Sequence, residues 1–144
     1  MNILVSACLL GMNCRYDGSG QLNEELVRLK ETHNLIPVCP EVYGGLPTPR
    51  EPAEILKQRV VTKEGIDVTD AFLKGAEESL RLALFYHCSH AILKERSPSC
   101  GFGKIYDGTF DHRLINGNGF TGDLLSKNGI KVLGESEIHT LFVE

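Results

Sequence analysis

Apolar positions fall into short unbroken runs, separated by stretches in which they recur every three or four residues. The runs are residues 3–7, 35–38, 91–94 and 130–133. A run without alternation predicts a strand covered on both faces, as in a parallel sheet. Leu22, Leu26 and Leu29 lie at helical spacing in residues 21–34, with charges between them. A longer helix is predicted from Thr69, which supplies its cap, to about His87, with Phe72, Ala76, Leu80, Ala83 and Leu84 on one side. Shorter helices are expected over 121–128 and 136–142. Val60-Val61-Thr62 and Ile66-Asp67-Val68 flank Lys-Glu-Gly, which predicts a small hairpin or an exposed turn.

Between these elements the polar and Gly/Pro-rich stretches 10–20, 41–54 and 102–120 read as loops. The second holds Gly44, Gly45, Pro47, Pro49 and Pro52, and loops of that length in compact domains usually carry function. Strands alternating with helices predict an α/β fold: a single domain over 1–144, with an open, mostly parallel sheet flanked by helices in the Rossmann-like or flavodoxin-like manner. In such sheets ligands sit beyond the carboxyl ends of the strands, near the point where strand order reverses.

Composition narrows the function classes. The chain has 144 residues, 42% of them hydrophobic, enough for one core without disulfides. Its net charge is −4, with 15 Lys and Arg against 19 Asp and Glu, so it carries no basic footprint for duplex nucleic acid. A locally basic pocket for a small anionic substrate remains compatible with that balance. No window holds the ~20 apolar residues of a membrane span. The first residues read as a strand rather than a signal peptide, so the expected location is the cytoplasm.

The five cysteines, Cys8, Cys14, Cys39, Cys88 and Cys100, are odd in number, and in a chain with an adequate core and an expected reducing compartment a disulfide framework is neither needed nor expected. Any one alone reads as a small core hydrophobe. Three together read differently: Cys8 follows the first strand, Cys39 the second, and Cys100 lies six residues past Lys94 at the end of the third. All three therefore fall at the carboxyl edge of the sheet, which predicts a shared metal or cluster site. Cys88 closes a helix and is assigned to packing. Cys14 leaves three readings open: a fourth ligand, a thiol beside the site, or a loop anchor, with a non-ligand role preferred. Structural zinc sites usually present paired Cys-x₂-Cys ligands, absent here. Three thiolates from three loops suit a [4Fe–4S] cluster with one open iron, a soft Lewis acid for sulfur; a three-Cys zinc site is the alternative.

Polar residues of the same loops complete the candidate site. Glu41, two residues past Cys39, is a solvated carboxylate or a general acid–base. Ser97 and Ser99 flank Pro98, as turn residues or as hydrogen-bond donors to substrate. Lys94, Arg96, Arg15 and Arg50 supply positive charge for an anionic group. Glu54 and Asp17 are fallback bases. The histidines do not cluster along the sequence.

Ser6-Ala-Cys-Leu-Leu-Gly11, Cys14-Arg-Tyr-Asp-Gly18, Pro37-Val-Cys-Pro-Glu41, Gly44-Gly-Leu-Pro-Thr-Pro-Arg50 with Pro52-Ala-Glu54, and Lys94-Glu-Arg-Ser-Pro-Ser-Cys-Gly101 together resemble the DUF523 family. Its characterised branch is the thiouracil desulfidases, TudS. The resemblance covers almost the whole chain, and the motifs are specific in combination. It implies a [4Fe–4S] cluster held by Cys8, Cys39 and Cys100, with catalytic roles for Glu41 and Ser97. Ser99, Lys94, Arg15, Asp17 and Arg50 are the expected substrate-binding residues beside them. The implied reaction is non-redox: substrate sulfur binds the open iron, water replaces it at carbon, and hydrosulfide leaves. A small thiolated pyrimidine is the expected partner. The reading from another class is a redox or storage module that binds a metal or cluster without turnover.

Overall fold

A computed structural model describes residues 1–142. Its centre is a four-stranded sheet of β1 (Asn2–Ser6), β2 (Asn34–Val38), β5 (His90–Leu93) and β8 (Lys131–Gly134), ordered β2-β1-β5-β8 with every neighbouring pair parallel. The predicted runs thus form the sheet, each shifted by no more than a residue or so. They are unbroken because both faces are covered. Successive side chains of a strand point to opposite faces. Leu4, Ala91 and Leu93 accordingly join one buried cluster, and Ile3, Val5 and Ile92 join the other. The first cluster also takes in Ala83 from α3 (Thr69–Phe85) and Leu125 from α4 (Phe120–Lys127). The second packs against Leu26 and Leu29 of α1 (Glu24–Leu29) and against Ile138. Pro37 sits in β2, an edge strand, where a missing N–H costs least.

Several elements differ from expectation. The helix predicted over 21–34 is only α1, because Asn23 caps it by accepting from the Glu25 amide, which leaves Leu22 outside and half-exposed. The predicted hairpin exists with another partner. β4 (Arg59–Thr62) pairs antiparallel with β3 (Ala53–Leu56), from the supposed loop, through Lys57 and Gln58, both at positive φ. Ile66–Val68 contributes a lone bridge, Asp67 to Val61. The stretch 102–120 carries a second hairpin, β6 (Lys104–Tyr106) with β7 (Leu114–Asn116). The closing helix is a 3-10 segment, Glu135–Phe142. Thr69 does not cap α3: the Asp67 carboxylate accepts its N–H, and its hydroxyl accepts from the Val60 amide. Leu84, expected on the buried face, is exposed, since the stripe runs through Phe72, Ala76, Ser79 and Ala83. Among the described residues, no helix is long and apolar enough to cross a membrane.

Strand order reverses between β1 and β5. The chain first steps from β1 to β2, then returns to the other side of β1 through α3. A crevice at the carboxyl ends of β1 and β5 follows from that reversal.

Candidate functional site

The crevice opens into a cavity of about 840 Å³, within the range of small-ligand sites, and Cys8, Cys14, Cys39 and Cys100 all line it. Each reaches it from a different piece of backbone. Cys8 sits in the 3-10 turn Ala7–Leu10 that leaves β1. Cys39 is the residue between β2 and α2 (Pro40–Tyr43), with Pro40 opening the helix in the position that suits proline. Cys100 ends the Ser-Pro-Ser-Cys turn beyond β5. Cys88 is buried in the core instead, as expected of a packing residue.

Two close approaches fix these loops. A Cβ at Gly75 of α3 would lie 2.0 Å from the Pro40 carbonyl oxygen, so a helix-interior glycine lets α3 press against the turn that carries Cys39 and Glu41. A Cβ at Gly119 would lie 2.5 Å from the Ser99 carbonyl oxygen, so α4 begins directly beneath the Ser97–Cys100 turn. The Thr121 and Gly122 amides both donate to that oxygen.

Glu41 is the chemical centre of the cavity wall. Its side chain is 17% exposed and faces Arg50, whose Nη2 lies 2.7 Å from Oε2. The other carboxylate oxygen accepts from the Ser99 hydroxyl. Ser99 in turn meets the Ser97 hydroxyl at 3.0 Å; since the Ser99 proton points to Glu41, Ser97 is the donor in that contact. Ser97 also accepts the Ser99 and Cys100 amides. A line of hydroxyls therefore runs Ser97–Ser99–Glu41. Ser97 is on the cavity wall, whereas Ser99 is fully buried. Burial pushes the Glu41 carboxyl up from its ordinary value, and the Arg50 guanidinium opposes that.

The expected substrate-binding residues separate into groups. Arg15, Lys94 and Arg50 line the cavity. Lys94 is paired with Glu135 at 2.8 Å. Arg50 is turned inward: it donates to Glu41, to the Cys14, Pro47 carbonyls and to Thr48, which ties three loops together. Ser99 is sealed from the cavity by the turn it belongs to. Asp17 lies off the wall, its carboxylate engaged by the amide and hydroxyl of Ser19. Of the fallback bases, Glu54 does line the cavity, but one of its oxygens clamps the amides of Gly108 and Phe110. Glu54→Ala is expected to cost about 1.5–3 kcal/mol, the worth of hydrogen bonds to a charged group, in urea unfolding. It should also admit protease cleavage within 107–113.

Sequence reasoning missed the outer wall. Tyr106 and His112 stack edge to face at 5.7 Å and border the cavity with Phe110 and Lys63. Nothing in their spacing marks them: Tyr106, Phe110 and His112 come from the β6–β7 hairpin and Lys63 from just past β4. Glu135, from the last described segment, was equally invisible.

The donor set bears on the group it could hold. All five cysteines are free thiols. Burial, with Cys14 and Glu41 nearby, pushes the Cys8 thiol up to about 11 against Lys94 and Arg15. Burial, then Cys39, pushes Cys14 up to about 12. Cys100 and Cys39 are raised too, chiefly by burial. Among the described residues, no three His, Cys, Asp or Glu side chains gather tightly enough for one metal ion. Soft sulfur donors spread around one cavity fit a cluster, which takes one thiolate per iron.

The family model described as 2-thiouracil desulfurase matches residues 3–137. The chain belongs to the 2-thiouracil desulfurase family. Within that family's range, it is 46% identical to the solved [4Fe-4S]-dependent thiouracil desulfidase TudS, with a TM-score of 0.92 over 99% of this chain and 95% of that one. It is also 42% identical over 149 residues to the uncharacterized protein YbbK of Bacillus subtilis (strain 168), covering 96% of this chain and 99% of that protein. The DUF523 resemblance and the mixed α/β fold with a central parallel sheet therefore hold.

Proposed function

We propose that this 2-thiouracil desulfurase family member hydrolyses a small thiolated pyrimidine in the cytoplasm. A thiocarbonyl and water give a carbonyl and hydrosulfide, with no net oxidation or reduction. The observation that carries the reading is the convergence of Cys8, Cys39 and Cys100 with the Ser97–Ser99–Glu41 line on one cavity. The family match and the likeness to a [4Fe-4S]-dependent thiouracil desulfidase support it.

Cys8, Cys39 and Cys100 would hold a [4Fe–4S] cluster, leaving one iron without a protein thiolate. When bound, the cluster supplies a soft Lewis acid that polarises a thiocarbonyl. The remaining work falls to the protein. Glu41 takes the proton of the attacking water, using a lone pair left over from its bonds to Arg50 and Ser99. Arg50 and Ser99 each hold one carboxylate oxygen, so the base meets water in one orientation. Ser97, on the cavity wall, passes hydrogen-bonding through Ser99 to that carboxylate. Arg15 and Lys94 place positive charge beside Cys8, where negative charge leaves with sulfur.

A cavity of about 840 Å³ between loops favours a free base or a mononucleotide over folded tRNA. Reconstituted protein should release sulfide from 2- or 4-thiouracil or from their nucleotides, and less readily from thiolated tRNA. Sulfide from none of them would leave a redox or storage module. Preference for intact tRNA would contradict the size argument.

A further inference from the structure

Ser6 is the last residue of β1, 2% exposed, and its hydroxyl is not accounted for by the reaction above. Its surroundings commit both ends of that hydroxyl. The oxygen accepts the Lys94 amide at 2.9 Å, just past the end of β5, where the ladder between the two strands has stopped. With that lone pair engaged, the hydroxyl proton points to Cys100 Sγ, 3.3 Å away. No other hydroxyl competes for the role. Ser99 also approaches Cys100 Sγ, at 3.6 Å, but its single proton is used on Glu41. Water has little access to a group this buried.

We propose that Ser6 is a positioning residue that donates a hydrogen bond to the Cys100 sulfur and so tunes the cluster that this sulfur holds. The proposal rests on the reading of Cys100 as a cluster ligand. The physical effect follows from charge. A donor aimed at a ligand sulfur stabilises electron density there, and hydrogen bonds to the sulfurs help set the reduction potential of a cluster. The same bond would withdraw electron density from the cluster as a whole, and through it from the open iron whose Lewis acidity the reaction uses. Because the Lys94 backbone orients the oxygen, the donor direction is built into the junction of β1 and β5 rather than left to a rotating side chain.

The test compares wild type, Ser6→Ala and Ser6→Thr, each reconstituted anaerobically with iron and sulfide. Potentials are read by EPR-monitored redox titration. Ser6→Ala is expected to shift the potential to lower values, and Ser6→Thr, which restores a hydroxyl, to bring it back. Wild type in D₂O should also show an exchangeable deuteron coupled to the cluster by ENDOR, at the short range of a hydrogen bond to a ligand sulfur. That measurement needs no variant to fold. A Ser6→Ala cluster with the wild-type potential, or a wild-type cluster without the coupled deuteron, overturns the proposal. A wild type that assembles no cluster overturns the cluster reading itself, and this proposal with it.

Discussion

Glu41→Gln protein is expected to assemble its cluster as wild type does and to turn over about 10²–10⁴ times more slowly, the usual worth of a general base. The amide keeps the size of the side chain and can still accept from Ser99, so the wall should not collapse. It loses the basic lone pair proposed to take the water's proton. It also loses the ion pair with Arg50, whose guanidinium is 7% exposed on its side chain and would then be buried beside a neutral partner. A fall in stability on the order of 3–5 kcal/mol, the usual cost of leaving one charge of a buried pair without its partner, should accompany the loss of rate. The decisive measurement pairs the visible spectrum with sulfide release. An intact spectrum with lost turnover supports the base assignment. Loss of iron would make Glu41 a structural or ligand residue, and unchanged turnover would move the base elsewhere. Ser97→Ala should also slow turnover, by less, since it removes one hydroxyl from a line rather than the base at its end.

Single replacement of Cys8, Cys39 or Cys100 by serine should abolish cluster assembly. Anaerobic reconstitution of wild type is expected to give a brown protein with about four irons per chain. Each of the three variants should stay colourless, because a hard hydroxyl replaces a soft thiolate. Cys88→Ser should load normally, since Cys88 packs with Leu4, Ala83 and Leu125 away from the cavity wall. Cys14→Ser is also expected to load. Its thiol sits on the wall beside Cys39, but its carbonyl is already engaged by Arg50, which marks it as part of the loop's frame. Iron analysis and visible absorption check all five. A wild type that binds one zinc tightly and no iron would sink the cluster assignment.

The candidate site was unevenly legible. Glu41, Ser97 and the three cysteines lie immediately after strands or in Gly/Pro-punctuated turns, so topology alone carries them to one edge. Ser99 and Asp17 come from the same motifs, yet neither meets the cavity. Ser99 is fully buried with its hydroxyl spent on Glu41, and Asp17 is captured by Ser19 two residues on. Arg50 reads as a free cation in the chain, but four acceptors around its guanidinium make it a brace. Such differences depend on rotamers and neighbours that no spacing encodes.

Local pattern by itself determined the four-stranded parallel core, the helices that cover it and the edge to which Cys8, Cys39 and Cys100 are delivered. These follow from periodicity and from the way parallel strands align their carboxyl ends. Only the tertiary structure decided the two small hairpins, the Tyr106–His112 wall, and the hydrogen bonds that aim Ser6 at Cys100 and Ser99 at Glu41. The last two join residues 94 and 58 positions apart, where burial and a single committed proton, not propensity, select the partner.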